Sequence, residues 1–244
     1  MTYRQNRAMV SIVALSLTLC AGPRCPAWAE EAATATGNPE APKCDRAQFR
    51  VVVDVGHTAE AYGAKSARNQ REYDFNFELA WEIEQSLKED GFPRTVLLVT
   101  AGAAHPSLED RVAAANRSSA NLFLSIHHDS VPDKFLEKWE YEDRPSHFSD
   151  RFSGHSLFVS NANRDFKASV QFGQILGMQL KDRGLQYARH YTESFMGHRR
   201  RQLVDAAAGV YRYDQLIVLR RTQMPAVLLE AGSIINRDEE VAIE

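Results

Sequence analysis

The sequence predicts a single α/β domain with a mostly parallel, twisted sheet of about six strands and helices on both faces. Three observations support this fold class. From about residue 49, short apolar segments alternate with helical segments, which is the order of a parallel α/β sheet. The apolar segments are continuous, as expected for strands that are covered on both faces. With 244 residues, 44% of them hydrophobic, the chain is long enough to bury one substantial core.

The first elements are a strand, a helix and a second strand. The β-branched run FRVVVDVG predicts a strand over residues 49–56. Apolar residues then recur every fourth position, which predicts a helix over 71–91 that ends at Gly91. The run TVLLVT predicts the second strand over 95–100. Together these segments form the first strand–helix–strand unit of the sheet.

The next helix is predicted over 107–119, with Ser107 as its N-cap and Asp110 three residues later, which resembles a capping box. The run NLFLSI predicts a third strand over 121–126. The remaining predicted elements are a strand over 155–160, a helix over 168–184, and strands over 215–220 and 225–232.

Residues 131–154 fit no regular element well. The segment is charged, aromatic and long for a connection within a compact domain. It is interpreted either as a lid or regulatory insert, or as a solvated surface loop with a short helix. The sequence leaves both interpretations open.

The N-terminus has the layout of a secretory signal peptide over residues 1–29. Arg4 and Arg7 give a basic start, residues 8–22 are mostly apolar or small, and AWA at 27–29 offers small residues for cleavage. We therefore expect export to the periplasm, or to the cell wall or extracellular space, with no membrane span in the mature chain. An uncleaved N-terminal anchor is the alternative.

Residues 30–48 lack apolar periodicity and are predicted to be a flexible lead-in to a folded domain over 49–244. After cleavage Cys44 is the remaining cysteine, which excludes an internal disulfide and a cysteine metal cluster. The mature chain keeps 26 basic and 32 acidic residues, a formal charge of −6, which argues against nucleic acid as a partner. The basic run HRRRQ over 198–202 is interpreted as a solvated loop or helix face.

Candidate functional residues follow the predicted strands, where the sites of parallel sheets collect. His57 follows the first strand, His127 follows the third, and Glu230 ends the last. With Glu72, the two histidines form a ligand set of catalytic zinc, which leaves a fourth position for water. Spacing by itself is weak support, because a histidine at a strand end is more often a polar cap or a surface residue.

Three motifs add a resemblance to a known family. They are VVVDVGHTAEAYGAKSARNQREYDFNFELAWEIEQSLKEDGF, then SLEDRVAAANRSSANLFLSIHHDS, and finally MPAVLLEAGSIINRDEE. In this order they resemble the zinc-dependent N-acetylmuramoyl-L-alanine amidases of the bacterial amidase C type, the Amidase_3 family. The resemblance runs from about residue 50 to 240. Each motif is short by itself, but the three together are specific.

The resemblance implies roles for four residues. It makes His57, Glu72 and His127 the zinc ligands and Glu230 the catalytic acid/base. It also implies Zn²⁺ as cofactor and peptidoglycan as substrate, cleaved at the amide between N-acetylmuramic acid and L-alanine of the stem peptide. An activator protein is a further partner to be tested, and we expect the protein to be a monomer.

Some positions depart from the family pattern. Val55 and Thr58 stand where the family has proline and glycine, but neither change removes a metal donor. The chain ends at Glu244, soon after the closing motif, where the family continues into a further helix. Truncation at the C-terminus is therefore one interpretation.

Two alternative functions stay open. A zinc peptidase would cut within the stem peptide, and a non-catalytic wall-binding pseudoenzyme would be expected to lack a ligand or the glutamate.

The histidine pair in SIHHDS needs a separate interpretation. Successive strand residues face opposite sides, so only one of the pair can point at the metal. We expect His128 and Asp129 to support the ligands or to line the rim, and we treat His190 as a candidate for substrate contact. Five histidines, His190 included, are expected on the surface or in loops; the others are His105, His147, His155 and His198.

Overall fold

The computed structural model describes residues 45–243. In this range the strands are β1 (Val51–Val55), β2 (Val96–Leu98), β3 (Leu122–Asp129), β4 (Glu137–Tyr141), β5 (Arg144–Phe148), β6 (Ser156–Val159), β7 (Gln202–Asp205), β8 (Val210–Arg212) and β9 (Ala226–Ser233). The helices are α1 (Glu72–Glu89), α2 (Ala104–Arg117), α3 (Phe166–Asp182), α4 (Ile217–Arg221) and α5 (Arg237–Ile243). The predicted signal peptide, Cys44 and the lead-in up to residue 44 lie outside the described residues.

Seven of the strands form one mixed sheet in the order β2-β1-β3-β9-β6-β8-β7. The first four strands of this order are parallel to one another. β6 is antiparallel to β9, β8 is parallel to β6, and β7 is antiparallel to β8. The predicted α/β domain with a mostly parallel sheet is confirmed, with seven strands rather than about six.

Helices cover both faces of the sheet, as predicted. On one face α1 and α3 contribute Leu79, Ile83 and Leu176 to the core. On the other face α2 and α4 contribute Val112 and Leu219. The central strands β1, β3 and β9 are buried along most of their length, and each buried Val, Leu or Ile side chain contributes about 1.5–3 kcal/mol.

The prediction of a strand over 215–220 is wrong, because this segment forms helix α4. Val218 and Leu219 are buried in the core of the second face, whereas Arg220 is exposed. A run of four apolar residues, such as Leu216 to Leu219, fits a buried strand and one side of a short helix equally well. The tertiary contacts decide between the two.

The predicted N-cap Ser107 is also wrong, because α2 begins three residues earlier at Ala104. Ser107 lies inside the first turns, where its hydroxyl donates to the carbonyl of Ala104 at 2.8 Å. Pro106 fits this start, since a proline in the first turn of a helix removes no intrahelical hydrogen bond.

Residues 131–154, which fit no regular element well in the sequence, contain a short 3-10 helix at Asp133–Phe135 and the two-stranded hairpin β4–β5, which was not predicted. Its two-residue turn consists of Glu142 and Asp143, both with positive φ, at 51° and 57°. Such turns usually carry Asn-Gly or Asp-Gly, so Glu-Asp gives little signal in the sequence. The edge strand β7 and its neighbour β8 were not predicted either; they are four and three residues long.

None of the described helices is long and apolar enough to cross a membrane.

Candidate metal centre

Three predicted ligands meet at the carboxyl edge of the parallel strands. Nε2 of His57 lies 3.1 Å and Nδ1 of His127 lies 3.0 Å from the same oxygen, Oε1 of Glu72. The two imidazole rings approach edge to face, with centroids 4.9 Å apart. All three side chains therefore present a ligand atom to one small space, and these atoms lie within 4.8 Å of one another.

His57 is held in place through its backbone. It follows β1 directly and has a φ of +66°, a left-handed conformation that is uncommon outside glycine and asparagine. The guanidinium of Arg111, on α2, donates to the carbonyl of His57. Arg111 is 1% exposed and lies 3.6 Å from the carboxylate of Asp54 on β1. This buried charge pair joins a helix, a strand end and the loop that carries His57.

Glu72 is the first residue of α1, and both oxygens of its carboxylate accept hydrogen bonds. Oε2 accepts from the backbone N–H of Ala64 at 3.0 Å, and Oε1 accepts from Nδ2 of Asn76 at 3.3 Å. Burial by itself raises the pKa of Glu72, but hydrogen bonds with His127 and His57 outweigh burial and hold the pKa below its ordinary value. The carboxylate is therefore charged, as a metal ligand must be.

Two glycines leave room for the three ligands. A Cβ on Gly63 would lie 2.3 Å from Oε2 of Glu72 and 2.6 Å from the ring of His57. Gly63 also has a φ of +78°, which L side chains rarely adopt. A Cβ on Gly56 would lie 2.5 Å from Nε2 of His127. The backbone thus approaches the ligand side chains as closely as only glycine permits.

His128 faces away from this cluster, as strand geometry predicts. Its ring is buried and its Nδ1 donates to Oδ1 of Asn76 at 2.8 Å. Nδ2 of Asn76 donates in turn to the carbonyl of Gly56 and to Glu72. Burial lowers the pKa of His128 to about 3, so its imidazole is neutral. His128 therefore supports a ligand through Asn76.

Glu230 lies beside His127, its partner across the parallel pair β3–β9. Its Oε2 is buried and has no hydrogen-bond partner among the described residues. Burial, with Asp129 and Glu72 nearby, raises the pKa of Glu230 well above its ordinary value. An unpartnered buried carboxyl of this kind costs stability, which is typical of a functional group.

Asp129 connects Glu230 to a buried aromatic layer. Its Oδ1 accepts from the hydroxyl of Tyr191 at 2.8 Å, and its Oδ2 lies 3.5 Å from Nε2 of His190. His190 stacks on Tyr191, with ring centroids 4.4 Å apart, and is 9% exposed. His190 therefore lies behind Asp129, and the expectation of a surface position for it is wrong, because its ring is packed against Tyr191 and Phe152.

The other histidines divide into two groups. His105, His147 and His198 are exposed, as predicted. The prediction for His155 is wrong, because it is 3% exposed and lies directly before β6. An isolated histidine in a mixed segment carries no sequence signal for burial.

The sequence interpretation missed Asn76 and Arg111 as supports of the site. The spacing of Glu72 and Asn76, four residues apart on one helix, places them on the same face and could have identified Asn76. No such spacing joins Arg111 to His57, which is 54 positions away.

The donor set fits a zinc ion. Two neutral imidazole nitrogens and one carboxylate are a ligand set of catalytic zinc, and in a tetrahedral site ligands that bind at about 2.0–2.2 Å lie about 3.4 Å apart. The observed spread of up to 4.8 Å needs only small side-chain movements. His57, Glu72 and His127 could therefore hold a metal ion.

Three known proteins are similar to this chain in fold or in sequence. The Ami1 amidase of Mycobacterium smegmatis superposes with a TM-score of 0.61 at 19% identity, over 82% of this chain and 88% of that one. The catalytic domain of CwlV, an amidase of Bacillus (Paenibacillus) polymyxa var. colistinus, gives 0.53 at 26% identity, over 80% and 87%. YqiI of Bacillus subtilis (strain 168), described as uncharacterized, is 25% identical over 189 residues, 78% of this chain and 72% of that protein.

The family comparison covers most of the folded part. A model of the Amidase_3 family, described as N-acetylmuramoyl-L-alanine amidase, matches residues 51–244. This range includes all of the sheet and the four predicted site residues. The chain therefore belongs to the Amidase_3 family and is an N-acetylmuramoyl-L-alanine amidase, a hydrolase of peptidoglycan.

Proposed function

We propose that the protein hydrolyses the amide between N-acetylmuramic acid and L-alanine with a zinc ion held by His57, Glu72 and His127, and with Glu230 as the general acid/base. The observation that supports this most directly is the convergence of three donor atoms beside Glu230, whose Oε2 is buried and has no hydrogen-bond partner among the described residues. When bound, zinc supplies Lewis-acid polarisation of a carbonyl and lowers the pKa of a water molecule.

Glu230 moves the proton in this proposal. Its carboxylate accepts the proton of the attacking water and then donates it to the leaving nitrogen of L-alanine. A carboxyl whose pKa is raised by burial, Asp129 and Glu72 can hold that proton between the two transfers. Without protonation, an amide nitrogen is a poor leaving group.

Asp129 and Asn76 have positioning roles. Tyr191 and His190 fix the carboxylate of Asp129 next to Glu230. Asn76 holds the carboxylate of Glu72 and the ring of His128 in one hydrogen-bonded chain. Partners of this kind orient metal ligands and keep them in the protonation state that binding needs.

The cellular location, the partner proteins and the oligomeric state of the enzyme also belong to the proposal. The predicted signal peptide over 1–29 supports export to the compartment that contains peptidoglycan. An activator protein, a monomeric state and a lid or regulatory role for residues 131–154 also stay predictions. The hairpin in that segment packs on the loop before Glu72, since Nε1 of Trp139 and the hydroxyl of Ser146 both donate to the carbonyl of Ala67.

Digestion of purified peptidoglycan separates the proposed activity from its alternatives. We expect the protein to copurify with zinc and to release free stem peptides that begin with L-alanine, as identified by mass spectrometry. Shortened stem peptides would instead indicate a peptidase, and the absence of products would indicate a wall-binding module. Activity that survives complete chelation would contradict the zinc proposal.

The role of Glu230 has its own test. Glu230→Gln should retain zinc and fold while hydrolysis falls by about 10²–10⁴-fold, the usual contribution of a general acid/base. Glu137→Gln, an exposed change on β4, is the matched control and should keep full activity. A fully active Glu230→Gln variant would refute the proposed role.

A further inference from the structure

The hairpin β4–β5 packs with one face on the loop that precedes Glu72. In an antiparallel pair, residues that lie opposite each other point to the same face, and their neighbours along the strand point to the other face. Trp139 lies opposite Ser146, and both point towards the loop. Lys138 lies opposite His147, and both are exposed. The hairpin therefore has an inner face on the protein and an outer face in solvent.

The two inner side chains donate to the same backbone atom. Nε1 of Trp139 lies 2.8 Å and the hydroxyl of Ser146 lies 2.7 Å from the carbonyl oxygen of Ala67. Ala67 is 0% exposed, and its N–H donates at 2.8 Å to the carbonyl of Ile234, directly after β9. Ala67 is thus held between β9 and the hairpin. Without the two hairpin donors, a buried carbonyl would lose the hydrogen bonds that offset its burial.

Two arginines hold the ring of Trp139 from the protein side. The guanidinium carbons of Arg68 and Arg237 lie 5.8 Å and 5.3 Å from the ring centroid. Nη1 of Arg68 donates to the carbonyl of Arg237 at 2.9 Å and pairs with the buried carboxylate of Glu240 at 2.5 Å. Arg68 follows Ala67 in the loop, whereas Arg237 and Glu240 belong to α5. The hairpin, the loop and α5 therefore pack as one unit.

The loop connects this unit to a proposed metal ligand. Lys65 and Arg71 form an antiparallel bridge that closes the loop. Next to this bridge, the N–H of Ala64 donates to Oε2 of Glu72 at 3.0 Å, and the N–H of Glu72 donates to the carbonyl of Ala64 at 2.9 Å. Ala67 lies in the same closed loop, three residues after Ala64. A displacement of Ala67 therefore acts on the backbone group that orients the carboxylate of Glu72.

The hairpin supports the candidate metal centre without covering it. In the described part of the chain, its hydrogen bonds, ion pairs and ring contacts with other segments reach the loop and α5, and none reaches the three proposed ligands. The side chain of His57 is 31% exposed with the hairpin in place. These contacts favour a supporting role over an occluding one.

We propose that the hairpin β4–β5 is a positioning element of the metal centre, in which Trp139 and Ser146 raise the affinity for zinc by fixing the loop that orients Glu72. The inference rests on the proposed function, because it requires Glu72 to be a metal ligand. It gives the hairpin a role opposite to that of an occluding lid. Loosening the hairpin lowers zinc affinity and activity, whereas removing a lid would raise activity.

Zinc affinity measured by chelator competition, without substrate, tests the proposal. Trp139→Phe and Ser146→Ala each leave one donor on the carbonyl of Ala67, so each should lower the affinity by about threefold. The double variant removes both donors, and we expect a loss of roughly 10–100-fold, the range for the outer partners of metal ligands. Excess zinc should restore most of the activity that the double variant loses.

Two controls separate positioning from general stability. Lys138→Gln changes the exposed outer face of β4 and should keep the wild-type affinity. Thr95→Val removes a buried hydroxyl that donates to the carbonyl of Phe92 at 2.9 Å. Thr95 directly precedes β2, at the edge of the sheet opposite the candidate metal centre. Thr95→Val should therefore lower the urea midpoint, as the double variant does, but leave the affinity for zinc unchanged.

An unchanged affinity in the double variant, an equal loss in Thr95→Val, or a higher activity of the double variant would each overturn the proposal. If the double variant does not fold, Ser146→Ala decides, and an unchanged affinity in it overturns the proposal. The expected losses of affinity without any cleavage of the amide would refute the proposed function alone. Normal cleavage with unchanged affinities would refute this inference alone, and a wild type that binds no zinc would refute both.

Discussion

The two halves of the sheet differ in how they are built and in what they carry. The half formed by β2, β1, β3 and β9 is parallel, and its central strands are buried on both faces. The half formed by β6, β8 and β7 contains antiparallel pairs and short strands. All four proposed site residues lie in or next to the parallel half.

The difference reflects what each half must do. Parallel strands end at one edge, so His57, His127 and Glu230 arrive together without a long connection. In the other half β6 is antiparallel to β9 and β7 is antiparallel to β8, so the strands do not all end at the same edge. This half forms one end of the sheet. We infer that chemistry depends on the parallel half, whereas the other half contributes stability.

The largest expected effect concerns the proposed metal centre in the parallel half. Glu72→Gln removes the carboxylate but keeps the side-chain shape, and we expect zinc affinity to fall by more than roughly 100-fold, since even the outer partners of ligands are worth 10–100-fold. A chelator competition assay measures this affinity. Glu84→Gln is the matched control, because Glu84 lies on the same helix and pairs with Lys88 at 2.7 Å. Equal losses in both variants would contradict the prediction.

The next prediction concerns the half of the sheet formed by β6, β8 and β7, and it is a pH dependence of the free energy of unfolding. His155 is buried beside β6, and both its ring nitrogens lack hydrogen-bond partners among the described residues. Burial lowers its pKa from 6.5 to about 4. Between these values the unfolded chain binds more protons than the folded chain, so stability falls as the pH drops from 6.5 to 4. The loss attributable to His155 is about 3 kcal/mol.

Urea unfolding of the wild type and His155→Phe at pH 7 and pH 4.5 checks this value. The variant should lose less stability at low pH, because phenylalanine keeps a ring and does not titrate. His147→Gln, an exposed change on β5, should show the wild-type dependence. The same loss in all three proteins would rule out His155 as the cause.

The smallest effect compares two glycines on α3. A Cβ on Gly177 would lie 1.9 Å from the carbonyl oxygen of Ala208, whereas one on Gly173 would lie 3.3 Å from a methyl of Val210. Gly177→Ala should lower the free energy of unfolding by about 1–3 kcal/mol, the usual cost of overpacking. Gly173→Ala should be neutral or slightly stabilising, since alanine favours helix. Urea midpoints measure both, and zinc affinity should stay unchanged if the two halves have separate roles.

The same comparison explains which parts of the fold were predictable. The strands of the parallel half are continuous apolar runs, and the helices α1 and α3 have one apolar face, so both signals are local. The segment 215–220 and the hairpin β4–β5 gave no comparable signal. A short apolar run fits a strand or a helix, and an exposed hairpin with a Glu-Asp turn has neither apolar alternation nor a glycine.

Local sequence patterns were sufficient to predict the fold class and the parallel strands. Together with the three motifs they also identified the candidates His57, Glu72, His127 and Glu230. The tertiary structure decided that the first three converge within 4.8 Å, that His128 turns away, and that Arg111 holds the backbone of His57. It also decided that the run HRRRQ lines a cleft. Periodicity and motifs depend on residues that are neighbours along the chain. Convergence, burial and charge pairing instead join residues that are tens of positions apart, so local patterns cannot predict them.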